Sequence, residues 1–116
     1  MVVARQTKNR FSKSLEISVI VNRVYSYNAI VNIDSSVVSL CATTSKNDQP
    51  VVFYITSQIS RNRKRSLMAA TFSKDSANPT VFQIDQIQAE TIKVFKTDTS
   101  VFLFAYSLET GAITIY

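Results

Sequence analysis

The chain has 116 residues, of which 46% are hydrophobic, and carries a formal net charge of +5 with one cysteine, one glycine and no histidine. This length and hydrophobic content suit one folded domain with a buried core, which excludes a disordered chain. A single cysteine excludes a disulfide framework, and the lack of histidine excludes Ser-His and Cys-His nucleophile pairs. We therefore expect a protein that is not an enzyme and that uses no cofactor and no metal ion.

Hydrophobic residues recur with a period of two along most of the chain, which indicates strands rather than helices. The alternation of Leu15, Ile17, Val19 and Val21 predicts the first half-buried strand. Further strands are predicted at residues 29–33, 37–44, 51–57, 67–73, 81–84, 91–96, 101–108 and 112–116. Turn-forming residues lie between these strands, at 34–36, 45–50, 75–79 and 97–100.

The connections between the predicted strands are mostly short, which favours antiparallel hairpins in sequence order, that is, a meander. We expect an all-β fold, or a β-rich one with at most one short helix, arranged as a sandwich or a small, partly closed barrel. Residues 85–90 fit either a helical turn capped by Asp85 or continued extended chain. Residues 101–106 are apolar on both faces, which predicts a central strand covered on both sides by a second sheet or a partner.

Positive charge is concentrated in two short segments. We assign residues 1–13 to a basic N-terminal arm with four basic residues, and residues 14–116 to a single β-rich domain. Four more basic residues lie in the run 61–65. The remaining five basic residues are outnumbered by the eight acidic residues of the chain. Such localised charge indicates a polyanionic partner. The residues expected to contact nucleic-acid phosphates are Arg61, Arg63, Lys64, Arg65, Lys8, Arg10 and Lys13.

The basic run predicts a non-catalytic binding module, within a larger assembly, that contacts RNA or DNA phosphates. Arg61, Arg63 and Arg65 alternate, so in an extended hairpin tip they would project to one side, and their planar guanidinium groups match phosphate oxygens. Two other interpretations stay open for the same residues. The run is also typical of a solvated loop that protects neighbouring strands from aggregation, and of a nuclear-import signal.

A second functional hypothesis is a structural or adaptor protein that binds protein partners, or forms a homo-oligomer, through exposed sheet edges. The basic segments would then only be solvated. The last predicted strand gives the expected interface, because an edge strand can add to a partner's sheet. The residues of this interface are Ile113, Ile115 and Tyr116.

The sequence also predicts a location and excludes a membrane partner. No apolar stretch reaches the roughly 18 residues that a membrane-spanning helix needs, and no apolar segment of a secretory signal follows the first charges. We expect an intracellular protein, cytoplasmic or nuclear. A mitochondrial location is the alternative, because the first 15 residues contain basic and hydroxyl side chains and no acid, as mitochondrial leaders do.

Overall fold

The computed structural model describes residues 37–44, 49–59, 61–72 and 80–116, together with the backbone of three N-terminal strands. This part of the chain is all-β and contains no helix, which confirms the predicted fold class. The strands are β1 (Val2–Lys8), β2 (Lys13–Val21), β3 (Val24–Ile33), β4 (Val37–Thr44), β5 (Pro50–Thr56), β6 (Arg65–Thr71), β7 (Thr80–Ile87), β8 (Thr91–Lys96), β9 (Val101–Tyr106) and β10 (Ile113–Ile115).

The strands form three antiparallel sheets in which every pairing joins strands that are consecutive in the chain. The orders are β1-β2-β3, β4-β5-β6-β7 and β10-β9-β8. The predicted meander is therefore confirmed. Strands β4 and β5 lie against β8, so the second and third sheets pack face to face as in a sandwich, and β1 lies beside β4. The sheets are separate and do not close into a barrel.

One hydrophobic core lies between the four-stranded sheet and the sheet β10-β9-β8. Ile55 and Leu67 are opposite each other on β5 and β6, and both are fully buried. They pack with Ile92, Leu103 and Ala105 of the other sheet. Each buried leucine or isoleucine side chain contributes roughly 1.5–3 kcal/mol, so this cluster is a principal source of stability.

A second core lies on the other face of the four-stranded sheet. It contains Val52, Tyr54, Ala70 and Phe72, which are all at most 4% exposed. Because side chains alternate between the two faces of a strand, β5 and β6 are apolar on both. The β5–β6 hairpin is thus the most completely buried element among the described residues.

Strand β9 is central in its sheet, as its sequence predicts, since it lies between β8 and β10. Leu103 and Ala105 are buried against the four-stranded sheet, whereas Phe102 on the opposite face is 39% exposed. The second sheet therefore supplies the predicted cover on one face of β9, and cover of the other face by a partner stays a prediction.

Residues 85–87 continue strand β7, so the extended interpretation of this segment is correct and the helical turn is wrong. Asp85 is opposite Leu67, and the pairing with β6 satisfies the backbone groups that a helical turn would have bonded locally. A register shift beside Asp85 inserts one extra residue into β7. Ile87 then reaches the core between the sheets, where it is 7% exposed.

Several predictions of the N-terminal half fall on residues that are only partly described. The predicted turns at 34–36 and 75–79, and most of the predicted turn at 45–50, lie outside the described residues. The predicted basic arm contains β1, which pairs with β2 along its whole length. The proposed boundary after residue 13 stays a prediction.

A hydrogen bond between side chains links the two sheets of the sandwich. The hydroxyl of Tyr116 donates to Oδ2 of Asp85 at 2.7 Å, and Tyr116 is itself joined to Leu103 of β9 by two backbone hydrogen bonds. This bond, a second one from the backbone N–H of Gln86 and the nearby charge of Lys64 hold the pKa of Asp85 below its ordinary value. Burial and the contact with Asp85 raise the pKa of Tyr116 to about 12.

Truncation of the core leucine Leu67 to alanine should lower the free energy of unfolding by about 2–5 kcal/mol, because it removes buried methyl groups and leaves a cavity. Leu108→Ala is the matched control, since Leu108 is 80% exposed, and it should change stability by no more than about 0.5 kcal/mol. Urea denaturation measures both. Equal effects of the two substitutions would contradict the core described above.

Removal of the Tyr116 hydroxyl should raise the pKa of Asp85 toward its ordinary value of about 3.9. Because the folded-state pKa is lowered, the interaction stabilises the fold above about pH 3.9, and this contribution disappears as the pH falls through the folded-state pKa. NMR titration of the Asp85 carboxyl in Tyr116→Phe measures the change. Tyr106→Phe should leave this titration as in the wild type, and an unaltered Asp85 in Tyr116→Phe would contradict the bond.

Candidate nucleic-acid interface

The basic run occupies the connection between β5 and β6, which comprises residues 57–64. Residues 61–63 form a turn, and Arg63 adopts a left-handed backbone with φ of 58°. A side chain at positive φ is uncommon outside glycine and asparagine and costs roughly 1–2 kcal/mol. The buried hairpin that holds both ends of the connection offsets this cost.

The cations of this run differ in exposure. Arg61, Arg63 and Lys64 are exposed, whereas Arg65 is the first residue of β6 and is half-buried. The expectation that alternate arginines project to one side rested on an extended tip. Because residues 61–63 form a turn, a spacing of two does not give them a common direction. We define the basic loop as residues 61–64, and Arg65 as part of its strand.

Arg65 has an unusual local environment. Its Nε is buried and has no hydrogen-bond partner among the described residues. A buried donor without a partner costs about 1–3 kcal/mol, and such groups are few in folded proteins. Arg65 is opposite Ile87, at the end of the core between the sheets. This position accounts for the burial and separates Arg65 from the three exposed cations.

A small pocket lies beside the base of the basic loop. It is lined by Thr56, Gln58, Ile59, Lys64 and Ser66 and has a volume of about 120 Å³. Its polar groups come from the end of β5, the start of β6 and the connection between them. Sequence reasoning missed Thr56, Gln58 and Ser66, because threonine and serine in strands, and an isolated glutamine, carry no binding signal of their own.

The basic residues of the N-terminal segment are only partly described. Lys8 and Lys13 occupy directly opposite positions at the end of the β1–β2 hairpin. Arg10 lies outside the described residues. The contribution of these residues to phosphate binding stays a prediction.

The predicted partner interface on β10 divides into two parts. Ile113 is 67% exposed and Ile115 is 60% exposed, on a strand at the end of its sheet. Tyr116 instead donates its hydroxyl to Asp85 within the chain. The ladder pairs Ile115 with Phe104, so the isoleucines share a face with the aromatic residues of β9.

The outer face of the sheet β10-β9-β8 therefore carries several apolar residues that are partly open to solvent, beside the exposed Lys93, which is opposite Phe104. Phe95 is opposite Phe102 across β8 and β9, with exposed fractions of 59% and 39%. Together with Ile113 and Ile115 these residues define what we call the outer apolar face. Single exposed hydrophobic residues are ordinary, but a contiguous group of this kind is typical of an interaction surface.

A larger cavity, of about 300 Å³, opens at the opposite end of β5 from the basic loop. Its apolar walls include Val51, Phe53 and Val101, and its rim is the hairpin connection at 97–100. Lys96 at this rim donates to Oγ1 of Thr44 at 2.6 Å. The cavity is thus mainly apolar and contrasts with the polar pocket at the basic loop.

Other kinds of site find little support in the described residues. They contain no group of three or more acidic, cysteine or histidine side chains that could hold a metal ion. Burial raises the pKa of the Cys41 thiol to about 12, so it is not a thiolate at neutral pH. In the same part of the chain, no helix is long and apolar enough to cross a membrane.

Comparison with known proteins does not assign the chain to a family. We find no match to a protein-family model, to a curated protein sequence or to a solved structure. The functional argument therefore rests on the residues and geometry described above.

Proposed function

We propose that this protein is a non-catalytic module that binds RNA or DNA by contacting backbone phosphates through its basic loop. The observation that carries the proposal is that Arg61, Arg63 and Lys64 are all exposed on one short connection. No acidic residue occurs between positions 57 and 64. The loop therefore presents a local positive charge to which a polyanion is attracted.

The chemistry of the loop supports phosphate as the partner group. Arginine offers a planar set of donors that can bond two phosphate oxygens at once, and lysine adds a compact charge. Each phosphate that is neutralised releases condensed counterions, so binding weakens as salt rises. The loop is held at both ends by the buried β5–β6 hairpin, which limits the entropy that is lost when the cations bind.

Replacement of the two exposed arginines, as Arg61→Ser with Arg63→Asn, should weaken nucleic-acid binding and reduce the salt dependence. Asparagine is chosen at position 63 because it tolerates the left-handed backbone there. The slope of log affinity against log salt should decrease by about 0.9 for each lost phosphate contact on duplex DNA, or about 0.7 on a single strand. Fluorescence anisotropy with labelled RNA and DNA, over a salt series, measures it.

The matched control removes the same number of charges elsewhere, as Lys93→Ser with Lys96→Ser on the exposed part of β8. It should retain the wild-type slope. If both double variants weaken binding equally, the net charge alone is responsible and the basic loop has no particular role. A wild-type protein that binds neither RNA nor DNA at low salt would refute the proposal directly.

A second candidate function is self-assembly through the outer apolar face. Its specific support is that Phe95, Ile113 and Ile115 are each at least 59% exposed on one sheet face. The face adjoins β10, an edge strand whose outer side pairs with no other described strand. Edge strands can pair with the same strand of another copy, which would bury the apolar face beside them.

If the outer apolar face joins two copies, Ile113→Lys with Ile115→Lys should dissociate the oligomer to monomers, because it buries two unpaired charges in the interface. Light scattering coupled to size-exclusion chromatography, over a concentration series, measures the mass. Phe82→Lys is the control, since Phe82 is 48% exposed on β7 of the other sheet. A wild-type monomer at every concentration would contradict this candidate.

A further inference from the structure

We infer that the small pocket beside the basic loop is an oxyanion subsite that seats one phosphate group. The inference rests on the proposed function and extends it from exposed charges to a defined site. The residues that line the pocket include Thr56 and Ser66, which carry hydroxyls, Gln58, which carries an amide, and Lys64, which carries an ammonium. All four groups can donate hydrogen bonds, as phosphate recognition requires.

The register of the β5–β6 hairpin explains why these residues meet. On one face the ladder pairs Val52 with Ala70 and then Tyr54 with Met68. The paired register ends at Ile55 with Leu67, and Thr56 and Ser66 are the next residues of the two strands toward the loop, where both line the pocket. This face of the hairpin is therefore apolar along the sheet and becomes polar at Thr56 and Ser66, next to the loop.

The connection continues the same arrangement beyond the strands. Gln58 and Lys64 lie two residues further from Thr56 and Ser66, one on each side of the turn, and both line the pocket. Ile59, which is 54% exposed, supplies an apolar wall. Four residues with donor side chains, two from each arm of one hairpin, thus line a single small pocket.

The volume and charge of the pocket limit what it can hold. About 120 Å³ is far more than one water needs and well below the roughly 300–1,000 Å³ of drug-sized ligand sites. No carboxylate is found among the described residues that line it. Lys64 is close enough to Asp85 for its charge to lower the pKa of that carboxyl, and Asp85, which is opposite Leu67 on β6, is not one of the pocket residues. A compact oxyanion fits these limits.

The phosphate group can belong to a nucleic-acid backbone or to a free or terminal phosphate, and the chemistry in the pocket is the same for each. The exposed Arg61 and Arg63 lie in the same loop as Lys64 and favour the backbone, because they can contact neighbouring phosphates of one strand. In this arrangement the pocket fixes the position of the nucleic-acid strand on the protein, and the exposed arginines supply most of the salt-dependent affinity.

The variant Thr56→Val with Ser66→Ala tests the subsite, because it removes both hydroxyls, keeps every cation and changes little volume. Inorganic phosphate, titrated at constant ionic strength against chloride, should shift the backbone amide NMR signals of Gln58, Lys64 and Ser66 in the wild type. The variant should lose these shifts. Its affinity for RNA or DNA should fall about tenfold while the salt slope stays at the wild-type value, since no counterion-releasing contact is removed.

The control is Thr80→Val with Thr114→Val, which removes two exposed hydroxyls from β7 and β10 and should behave as the wild type. Thermal unfolding checks that each variant is folded. The subsite is refuted if phosphate shifts persist in Thr56→Val with Ser66→Ala, or if the wild-type pocket amides do not respond to phosphate.

The same measurements separate failure of the subsite from failure of the proposed function. If the loop-arginine variant loses nucleic-acid affinity while the pocket variant retains it, the subsite is wrong and nucleic-acid binding stands. If the wild type binds no nucleic acid but its pocket amides respond to phosphate, the proposed function is wrong and the subsite holds a free or terminal phosphate.

Discussion

The structure depends above all on the burial of β5 and β6 on both of their faces. Ile55 and Leu67 face the three-stranded sheet, whereas Val52 and Ala70 face the other way, and all four are fully buried. When one face of a strand is exposed to solvent, a shift of one residue in its pairing register is unfavourable, because it turns the buried apolar side chains toward solvent. Here both sets are apolar, so the register must be fixed by the shapes of the packed side chains and by the pairing of neighbouring strands.

This double burial determines where polar function can lie. The hairpin has no solvated face along its length, so its exposed polar groups are displaced to its end. Thr56 and Ser66 mark the point where the buried ladder stops, and the basic loop follows at once. Binding groups attached to a rigid hairpin are held in place before a ligand arrives, which is the arrangement that gives affinity at low entropic cost.

Much of the fold could be predicted from the sequence, because alternating hydrophobic and polar residues indicate strands and short connections indicate antiparallel hairpins. Three features could not. Asp85 is equally suited to cap a helix and to sit in a strand, and only its pairing with β6 and its bond to Tyr116 decide between them. Phe102 has the apolar character of a covered residue, yet its cover depends on which other segments reach that face. Thr56 and Ser66 come to line one pocket only because β5 and β6 pair, and no single stretch of sequence contains that information.

At position 63, which has a left-handed backbone, a residue that lowers the conformational strain would also remove a positive charge from the basic loop. Glycine or asparagine would adopt a φ of 58° with less strain, so either substitution would be a first choice for anyone seeking to make this domain more heat-resistant. Either would also remove a guanidinium from the exposed loop. Under selection for folding alone, arginine would be expected to drift away from this position. Strained backbone of this kind clusters at binding and active sites, so position 63 is where a gain in stability and a loss of binding would be measured on the same side chain.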